Sequence, residues 1–261
     1  MILERNSIRS TERLTSTHRD SIQSLLVETG SHSTTLMDRI ASRLSVDDIQ
    51  ADEIWSFVGC KEKTRIRNGY SECCGDAYCF TALERTTKMI VAWHLGKRSP
   101  LDTLEFAKKL FRATAGRFQL TSDGYLPYRT AVPNVFGSQI DFCQLVKVYG
   151  SPAEGEGRYS PAQIIDIHTL PECGQPEESR VCTSHVERSN KSLSMGLRRF
   201  TRLTDAHSEK WENQEAALGL FFAHYNLCRI HSTPKETPAM RAGLTNARWS
   251  VLGLMKSVTE Q

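Results

Sequence analysis

The sequence lacks any apolar run approaching the ~20 residues needed to span a bilayer. Its start, MILERNSIRS, also lacks the apolar segment of a secretory signal. These absences argue against a membrane protein and predict a cytoplasmic one. None of the eight cysteines forms a C-x-x-C pair, and none precedes Cys60. The spacing of a zinc ribbon is therefore missing, which leaves zinc binding by Cys60, Cys73, Cys74 and Cys79 as a minor alternative.

The composition is that of an ordinary globular protein, but its charge is segregated. The 261 residues are 39% hydrophobic and 24% charged, enough for one sizeable core and a small appendage. The net charge of +3 hides a basic segment, 180–203, with six Lys or Arg and one acid. Segment 151–179 has the opposite balance, six acids and one Arg. A basic segment is either a solvated face or a surface for phosphates, and both readings stay open.

Apolar spacing divides the chain into a helical start and a mixed α/β body. Residues 1–45 predict two short helices separated by a turn at Gly30, either part of a DNA-binding helix-turn-helix or a helical cap. From residue 46 to 240, three strands are followed by helix, strand, helix, strand and two final helices. This order predicts a mixed five-stranded sheet flanked by helices. Residues 151–179 read as an acidic insertion or loop, and 241–261 as a C-terminal tail.

Three acids occupy positions where catalytic or ligand groups collect. Asp52 lies among apolar residues of the first strand, Asp123 ends the strand FQLTSDG, and Glu187 opens the basic helix. Each acid alone has an ordinary structural explanation, such as a salt bridge, a turn or a favourable helix-dipole contact. The neighbouring Glu53 is expected to point to the opposite face of its strand and is not counted as a ligand.

Taken together, the three carboxylates suit divalent-metal chemistry on a phosphodiester. Mg²⁺ (or Mn²⁺) prefers carboxylate, water and phosphate oxygens. Two such ions ~3.5–4 Å apart can stabilise the attacking and leaving oxygens of an in-line displacement. Asp52, Asp123 and Glu187 are therefore predicted as catalytic residues and metal ligands, with two ions expected.

The basic helix supplies the predicted DNA contacts. Lys191 and Asn190 share a helix face with Glu187, and the cations nearby would hold a duplex without reading its sequence. The predicted DNA-binding residues are Arg188, Asn190, Lys191, Arg198, Arg199 and Arg202. His185 is a possible accessory residue at the metal site, and a cap or loop role explains it at least as well.

Five ordered blocks carry a resemblance to a known family. They are ADEIWSFVGCKEK, GDAYCFTALERTTKMIVAWHLGKR, GRFQLTSDGYLPY, TSHVERSNKSLSMGLRRFTRLT and AHYNLCRIHSTPKETPAM. From about Ala51 to Met240 the chain resembles the DDE-type transposases of the insertion-sequence-one family. The resemblance implies a ribonuclease-H-like fold, a divalent metal, double-stranded DNA as partner and a homo-oligomer. It places the acidic triad on Asp52, Asp123 and Glu187.

The resemblance has one departure and leaves alternatives open. Relatives usually carry an N-terminal zinc ribbon and a complete helix-turn-helix, whereas here no cysteine precedes Asp52, so either the chain is truncated or its start codon is misplaced. The leading prediction is a transposase that cleaves element ends and transfers the strand to target DNA. A nuclease of the same fold without strand transfer and a non-catalytic DNA-binding remnant are the alternatives.

Overall fold

A computed structural model describes residues 1–150, 163–201, 205–232 and 235–259. Within them, no helix has the length and hydropathy required to cross a bilayer. The helices are α1 Ile8–Thr15, α2 Arg19–Ile40, α3 Glu62–Asn68, α4 Pro100–Ala113, α5 Tyr128–Phe136, α6 Ser184–Gly196, α7 Trp211–Ala223, α8 Pro238–Arg241 and α9 Val251–Thr259. The strands are β1 Leu44–Ser45, β2 Asp48–Val58, β3 Gly75–Glu84, β4 Ile90–Gly96, β5 Thr114–Ala115, β6 Phe118–Asp123, β7 Ile140–Tyr149 and β8 Ile164–Cys173.

The main sheet has six strands in the order β4-β3-β2-β6-β7-β8. β4, β3 and β2 form an antiparallel meander, β2, β6 and β7 run parallel, and β8 returns antiparallel to β7. β1 and β5 form a separate two-stranded parallel pair. The mixed α/β prediction is confirmed by this arrangement.

The prediction of five strands was wrong, because β8 lies inside the segment predicted as an acidic loop. Most β8 side chains are exposed, including Ile164, Ile165 and Ile167. An edge strand is held by backbone pairing with its one neighbour, so it needs no buried face and carries a weak apolar signal. Residues 151–162 of the predicted loop lie outside the described residues.

Helices cover both faces of the sheet because strand side chains alternate between the faces. On β3, Phe80 joins the core under α4 and α5, whereas Cys79 and Leu83 join the core under α6 and α7. Tyr128 places α5 in the first core, although the sequence predicted only weak helicity there because of Pro133. The sheet is thus buried on both sides, with α5 and α6 flanking the end of β6.

The N-terminal region differs from the prediction of two short helices with a turn at Gly30. α2 is one continuous helix of 22 residues, and Gly30 lies in its middle. A Cβ on Gly30 would lie 2.1 Å from the carbonyl oxygen of Ala216 on α7, so glycine permits the two backbones to touch. Gly30, which predicted a turn, instead allows two helices to pack closely. Whether residues 1–45 form a DNA-reading unit stays a prediction.

The segment predicted as a C-terminal tail contains α9, which packs onto α2. Leu254 of α9 is fully buried in a cluster with Met37 of α2. The first residues of this segment close α8, whose Ala239 belongs to the same cluster. The chain's two ends therefore pack on one another through α2.

Candidate active site

Asp52 and Asp123 lie side by side because of the register between β2 and β6. The last paired residues of these parallel strands are Ala51 and Ser122, so the next position on each strand is an aspartate. Both aspartates line one cleft of about 840 Å³, and Glu187 lines the same cleft from the first turn of α6. Residues separated by more than 60 positions in the chain thus share one opening.

Asp52 is held by a residue of α6. The side-chain amide of Asn190 donates to Asp52 Oδ2 at 2.9 Å, and Asn190 Oδ1 accepts from the Thr81 hydroxyl at 3.2 Å. Burial and then the charge of Asp123 raise the pKa of Asp52 to about 7, partly offset by Asn190. A carboxylate that is desolvated beside another carboxylate favours either a proton or a metal ion.

Asp123 sits in the turn that leaves β6. Its Oδ1 accepts from the Tyr125 amide at 3.1 Å, and Gln144 of β7 donates to its backbone carbonyl at 2.8 Å. Burial raises the pKa of Asp123, and the charge of Glu187 raises it further. The carboxylate is thus fixed in place, and its ionised form is disfavoured relative to that of a free aspartate.

Glu53 completes a compact group of acids, contrary to the prediction that it points away. One oxygen each of Asp52, Glu53 and Asp123 lie within 4.8 Å of one another. The Glu53 side chain is only 3% exposed, and burial followed by Asp123 raises its pKa to about 8. The alternation of side chains along a strand fixes only the direction in which each Cβ points. Because no β6 residue pairs with β2 beyond Ala51, the longer glutamate can reach the same space.

Two basic side chains offset part of the negative charge of these acids. Arg98 Nη2 lies 3.3 Å from Glu53 Oε2 and 3.9 Å from Asp123 Oδ2, with its guanidinium 4.2 Å from the centre of the Tyr125 ring. Lys147 of β7 forms an ion pair with Glu187 Oε1. Sequence reasoning missed both residues, since nothing local connects them to the acids.

Glu187 belongs to the cleft but not to the compact group of three. Its Oε1 accepts from the Thr183 hydroxyl at 2.6 Å as well as from Lys147. Its charge nevertheless raises the pKa of both Asp52 and Asp123, which places it within electrostatic reach of them. Among the described residues, three carboxylates and two cations therefore line the cleft, and Glu53 lies within 4.8 Å of two of these carboxylates.

A buried glutamine fixes the start of α6 above β2. Gln50 Oε1 accepts from the backbone amides of His185 at 3.0 Å and Val186 at 3.1 Å. These amides belong to the first turn of a helix and have no partner within it. Since Gln50 and Asp52 lie two residues apart, they share a strand face, and this contact places Glu187 near the aspartates.

The predicted accessory and DNA-binding residues separate into groups. Arg188, Lys191 and Arg198 are exposed. Asn190 is 7% exposed and donates to Asp52, while its predicted DNA contact stays a prediction. His185 Nδ1 lies 3.2 Å from Lys88 Nζ, and its side chain does not line the cleft.

Arg199, another of the predicted DNA contacts, makes its hydrogen bonds inside the protein. Arg199 Nη1 donates to the Ser208 hydroxyl and to the Asn213 carbonyl, both at 2.8 Å. Burial lowers the pKa of Arg199 to about 10, as expected for a cation inside the protein. This geometry disfavours DNA contact by Arg199, and Arg202 lies outside the described residues.

The donor set fits a hard divalent cation. Carboxylate oxygens are the ligands that Mg²⁺ and Mn²⁺ prefer. Within the part of the chain that the structure describes, Glu53 Oε1 is buried without a hydrogen bond of good geometry, although the buried Tyr128 hydroxyl is close enough to lower the pKa of Glu53. A buried acceptor without a partner is costly unless a cation or proton satisfies it. Asp52, Glu53 and Asp123 are thus able to hold one ion, with Glu187 available on the cleft wall.

The raised pKa values predict how the metal-free protein responds to pH. Folding raises the pKa of Glu53 to about 8 and that of Asp52 to about 7. Between about pH 5 and 8 the folded state then binds protons that the unfolded chain has lost, so the free energy of unfolding falls as pH rises. We expect Glu53→Gln to flatten this fall and to raise the melting temperature most at pH 8.5.

The measurement is a series of melting curves from pH 5 to 8.5 in EDTA. Glu105→Gln is the matched control, because Glu105 is an exposed partner of Lys108 and its pKa is lowered. If the melting temperatures of wild type and Glu53→Gln changed with pH in parallel, Glu53 would not belong to the acids whose pKa is raised by folding.

Comparisons with known proteins leave the family undecided. No family model matches the sequence, and no curated protein matches it. One solved structure that the chain resembles is the piggyBac transposase synaptic complex with hairpin DNA, with a TM-score of 0.36 and 11% sequence identity. The match covers 81% of this chain and 52% of that chain, so this chain spans about half its length. At this TM-score the likeness decides neither the fold family nor the function.

Proposed function

We propose that this chain is a DDE-type DNA transposase of the insertion-sequence-one kind, built on a ribonuclease-H-like sheet. The observation that carries the proposal is the meeting of Asp52, Asp123 and Glu187 in one cleft. Two of these acids extend neighbouring parallel strands, and the third comes from a helix anchored over the same strand face. Carboxylates gathered in this way suit metal-assisted phosphoryl transfer.

The residues of the cleft have distinct roles in this proposal. Asp52, Asp123 and Glu187 hold divalent ions, and Glu53 adds a fourth carboxylate to the group. A bound Mg²⁺ or Mn²⁺ ion supplies Lewis-acid polarisation of the phosphate and lowers the pKa of water at the site. Asn190 orients Asp52 through its 2.9 Å hydrogen bond, which keeps one carboxylate oxygen in a fixed direction.

The cations of the cleft favour a phosphodiester substrate. Lys147 lines the cleft beside Glu187, and Arg98 lines it beside Asp123. Lysine and arginine contact phosphate oxygens without reading base sequence. Outside the cleft, Lys191 and Arg188 are exposed on α6, the helix that carries Glu187. Double-stranded DNA is therefore the proposed partner, and a homo-oligomer that joins two ends remains part of the proposal.

The test uses purified protein with duplexes taken from the DNA that flanks the gene, together with a supercoiled target plasmid. We expect Mg²⁺ or Mn²⁺ to permit strand cleavage that frees a 3′-hydroxyl, followed by joining of that end to the plasmid. EDTA should abolish both products. Sequencing of the joined molecules measures the reaction directly.

The outcomes separate the candidate functions. Joined products support the transposase. Cleavage without joining at any target concentration would identify a nuclease of the same fold. Binding without cleavage under every divalent ion would identify a DNA-binding remnant, and the proposal would be wrong in both of these cases.

A further inference from the structure

A second charged cleft, which we name the arginine groove, lies at the end of α6 opposite Glu187. It is lined by α1, the start of α2 and the segment that follows α6. Its exposed cations are Arg9, Arg13, Arg19 and Arg198. The metal-site proposal does not use them.

The groove is a fixed part of the fold. The Arg5 amide donates to the Gly196 carbonyl at 3.0 Å, which ties the N-terminal segment to the last residue of α6. Ile8 packs against the apolar cluster beneath α6 and α7. Arg9 and Arg13 are four residues apart and so share one face of α1. The three chain segments therefore present their cations from a rigid frame.

The groove carries an excess of positive charge, because five arginines line it against three acids, Asp20, Asp205 and Glu209. Asp20 lies 3.5 Å from Arg19 Nε, and Glu209 lies 3.3 Å from His207, so two of its acids already have partners. Within the described ranges, neither Arg9 nor Arg198 forms an ion pair. Several exposed arginines in one concave surface attract anions, and their planar guanidinium groups suit phosphate oxygens.

The spacing of the groove from the acidic cleft matches a DNA duplex. Glu187 and Gly196 are nine positions apart on α6, which corresponds to about 14 Å, and Arg198 follows two residues after the helix ends. A duplex rises about 3.4 Å per base pair, so this distance spans about four base pairs. Lys191 is exposed between the two sites. A straight duplex with one phosphate at the acids can therefore reach the groove.

We propose that the arginine groove binds the sugar-phosphate backbone of duplex DNA about four base pairs from the reacting phosphate. This inference rests on the proposed function and adds a second anchoring point to it. Contacts to the backbone fix the position of a duplex without reading its sequence. The groove would thus set how far the reacting phosphate enters the cleft.

The test removes three cations of the groove together. In Arg9→Gln/Arg13→Gln/Arg198→Gln, we expect binding of a fluorescent 30-base-pair duplex in EDTA to weaken about ten- to hundredfold at 0.1 M salt. The slope of log affinity against log salt should fall by about 2 to 3, because each phosphate contact contributes about 0.9. Fluorescence anisotropy across a salt series measures both quantities.

Two further variants serve as controls. Arg43→Gln/Arg112→Gln/Arg241→Gln removes three exposed arginines near β1 and the end of α4, and it should leave the salt slope unchanged. Replacing the groove arginines by lysine should keep most of the slope, since the charge stays. Equal losses in the two glutamine variants, or none in the groove variant, would overturn the proposal.

The two hypotheses fail in different ways. A wild type that cleaves DNA while the groove variant keeps its salt slope would leave the transposase proposal standing and reject the groove. A wild type that binds no duplex at low salt would reject both. Tighter binding of a poly-glutamate peptide than of the duplex would assign the groove to an acidic protein partner and overturn its DNA role.

Discussion

Replacing Asp123 by Asn is expected to reduce metal-dependent DNA cleavage by about a thousandfold or more while leaving the protein folded. A metal site supplies several kcal/mol of charge stabilisation in the transition state, and about 4 kcal/mol corresponds to a thousandfold in rate. The asparagine oxygen can still accept from the Tyr125 amide, so the turn after β6 keeps its geometry. The loss should therefore come from the missing ligand rather than from misfolding.

The same substitution should make the metal-free protein slightly more heat-stable. Burial and the charge of Glu187 raise the pKa of Asp123, which means that its ionised form is disfavoured in the folded state near pH 7.5. A neutral side chain removes that cost. Mn²⁺ should raise the melting temperature of the wild type and have little effect on Asp123→Asn, because binding to the folded state alone stabilises it.

Asp141 provides the matched control, because its substitution is expected to change the melting temperature in the opposite direction. Asp141 of β7 pairs with Arg117, and this contact lowers its pKa. Asp141→Asn should therefore lower the melting temperature and leave cleavage unchanged. Calorimetry and a gel-based cleavage assay on the same preparations measure both effects. Undiminished cleavage by folded Asp123→Asn would reject the assigned site.

Gly30→Val is expected to lower the free energy of unfolding by about 3 kcal/mol. A Cβ on Gly30 would lie 2.1 Å from the Ala216 carbonyl oxygen, and the obstacle is backbone rather than a movable side chain. α2 and α7 must then separate along their contact. For a chain of this size such a loss corresponds to a fall of about 6 to 12 °C in melting temperature. Urea denaturation followed by circular dichroism measures it.

The control is a glycine inside another helix. In α9, a Cβ on Gly253 would meet only the Ser250 hydroxyl at 3.2 Å, so Gly253→Ala should stay within about 1 kcal/mol of the wild type. Wild-type stability in Gly30→Val would show that α2 does not pack on α7 as described. The N-terminal helices would then be a separate unit, as a helix-turn-helix arm requires.

The contrast between β6 and β8 shows which strands a sequence can reveal. β6 is buried along nearly its whole length and ends at Asp123 before a glycine, so its apolar run and its stop are both local signals. β8 is an edge strand with mostly exposed side chains, and its existence depends on pairing with β7. Gly30 failed as a turn signal for a related reason, because its role depends on Ala216 far along the chain.

The sequence singled out three acids that line one cleft, but it did not reveal the side chains that contact them. A carboxylate within an apolar strand or at the end of one is unusual enough to be noticed from the sequence alone. Asn190 was predicted to contact DNA, and its hydrogen bond to Asp52 was not foreseen. Glu53 was excluded by the alternation rule, which describes Cβ directions and not the reach of a glutamate.

By itself, the sequence determined the mixed α/β class, most strand positions and the three acids, because apolar periodicity, turn residues and isolated buried charges act over a few neighbouring positions. Only the tertiary structure decided that Lys147 faces Glu187, that Arg98 lies between Glu53 and Asp123, and that Gln50 holds the start of α6. These contacts join residues on different strands and helices. Their energies depend on burial and distance in the folded chain, which no local pattern encodes.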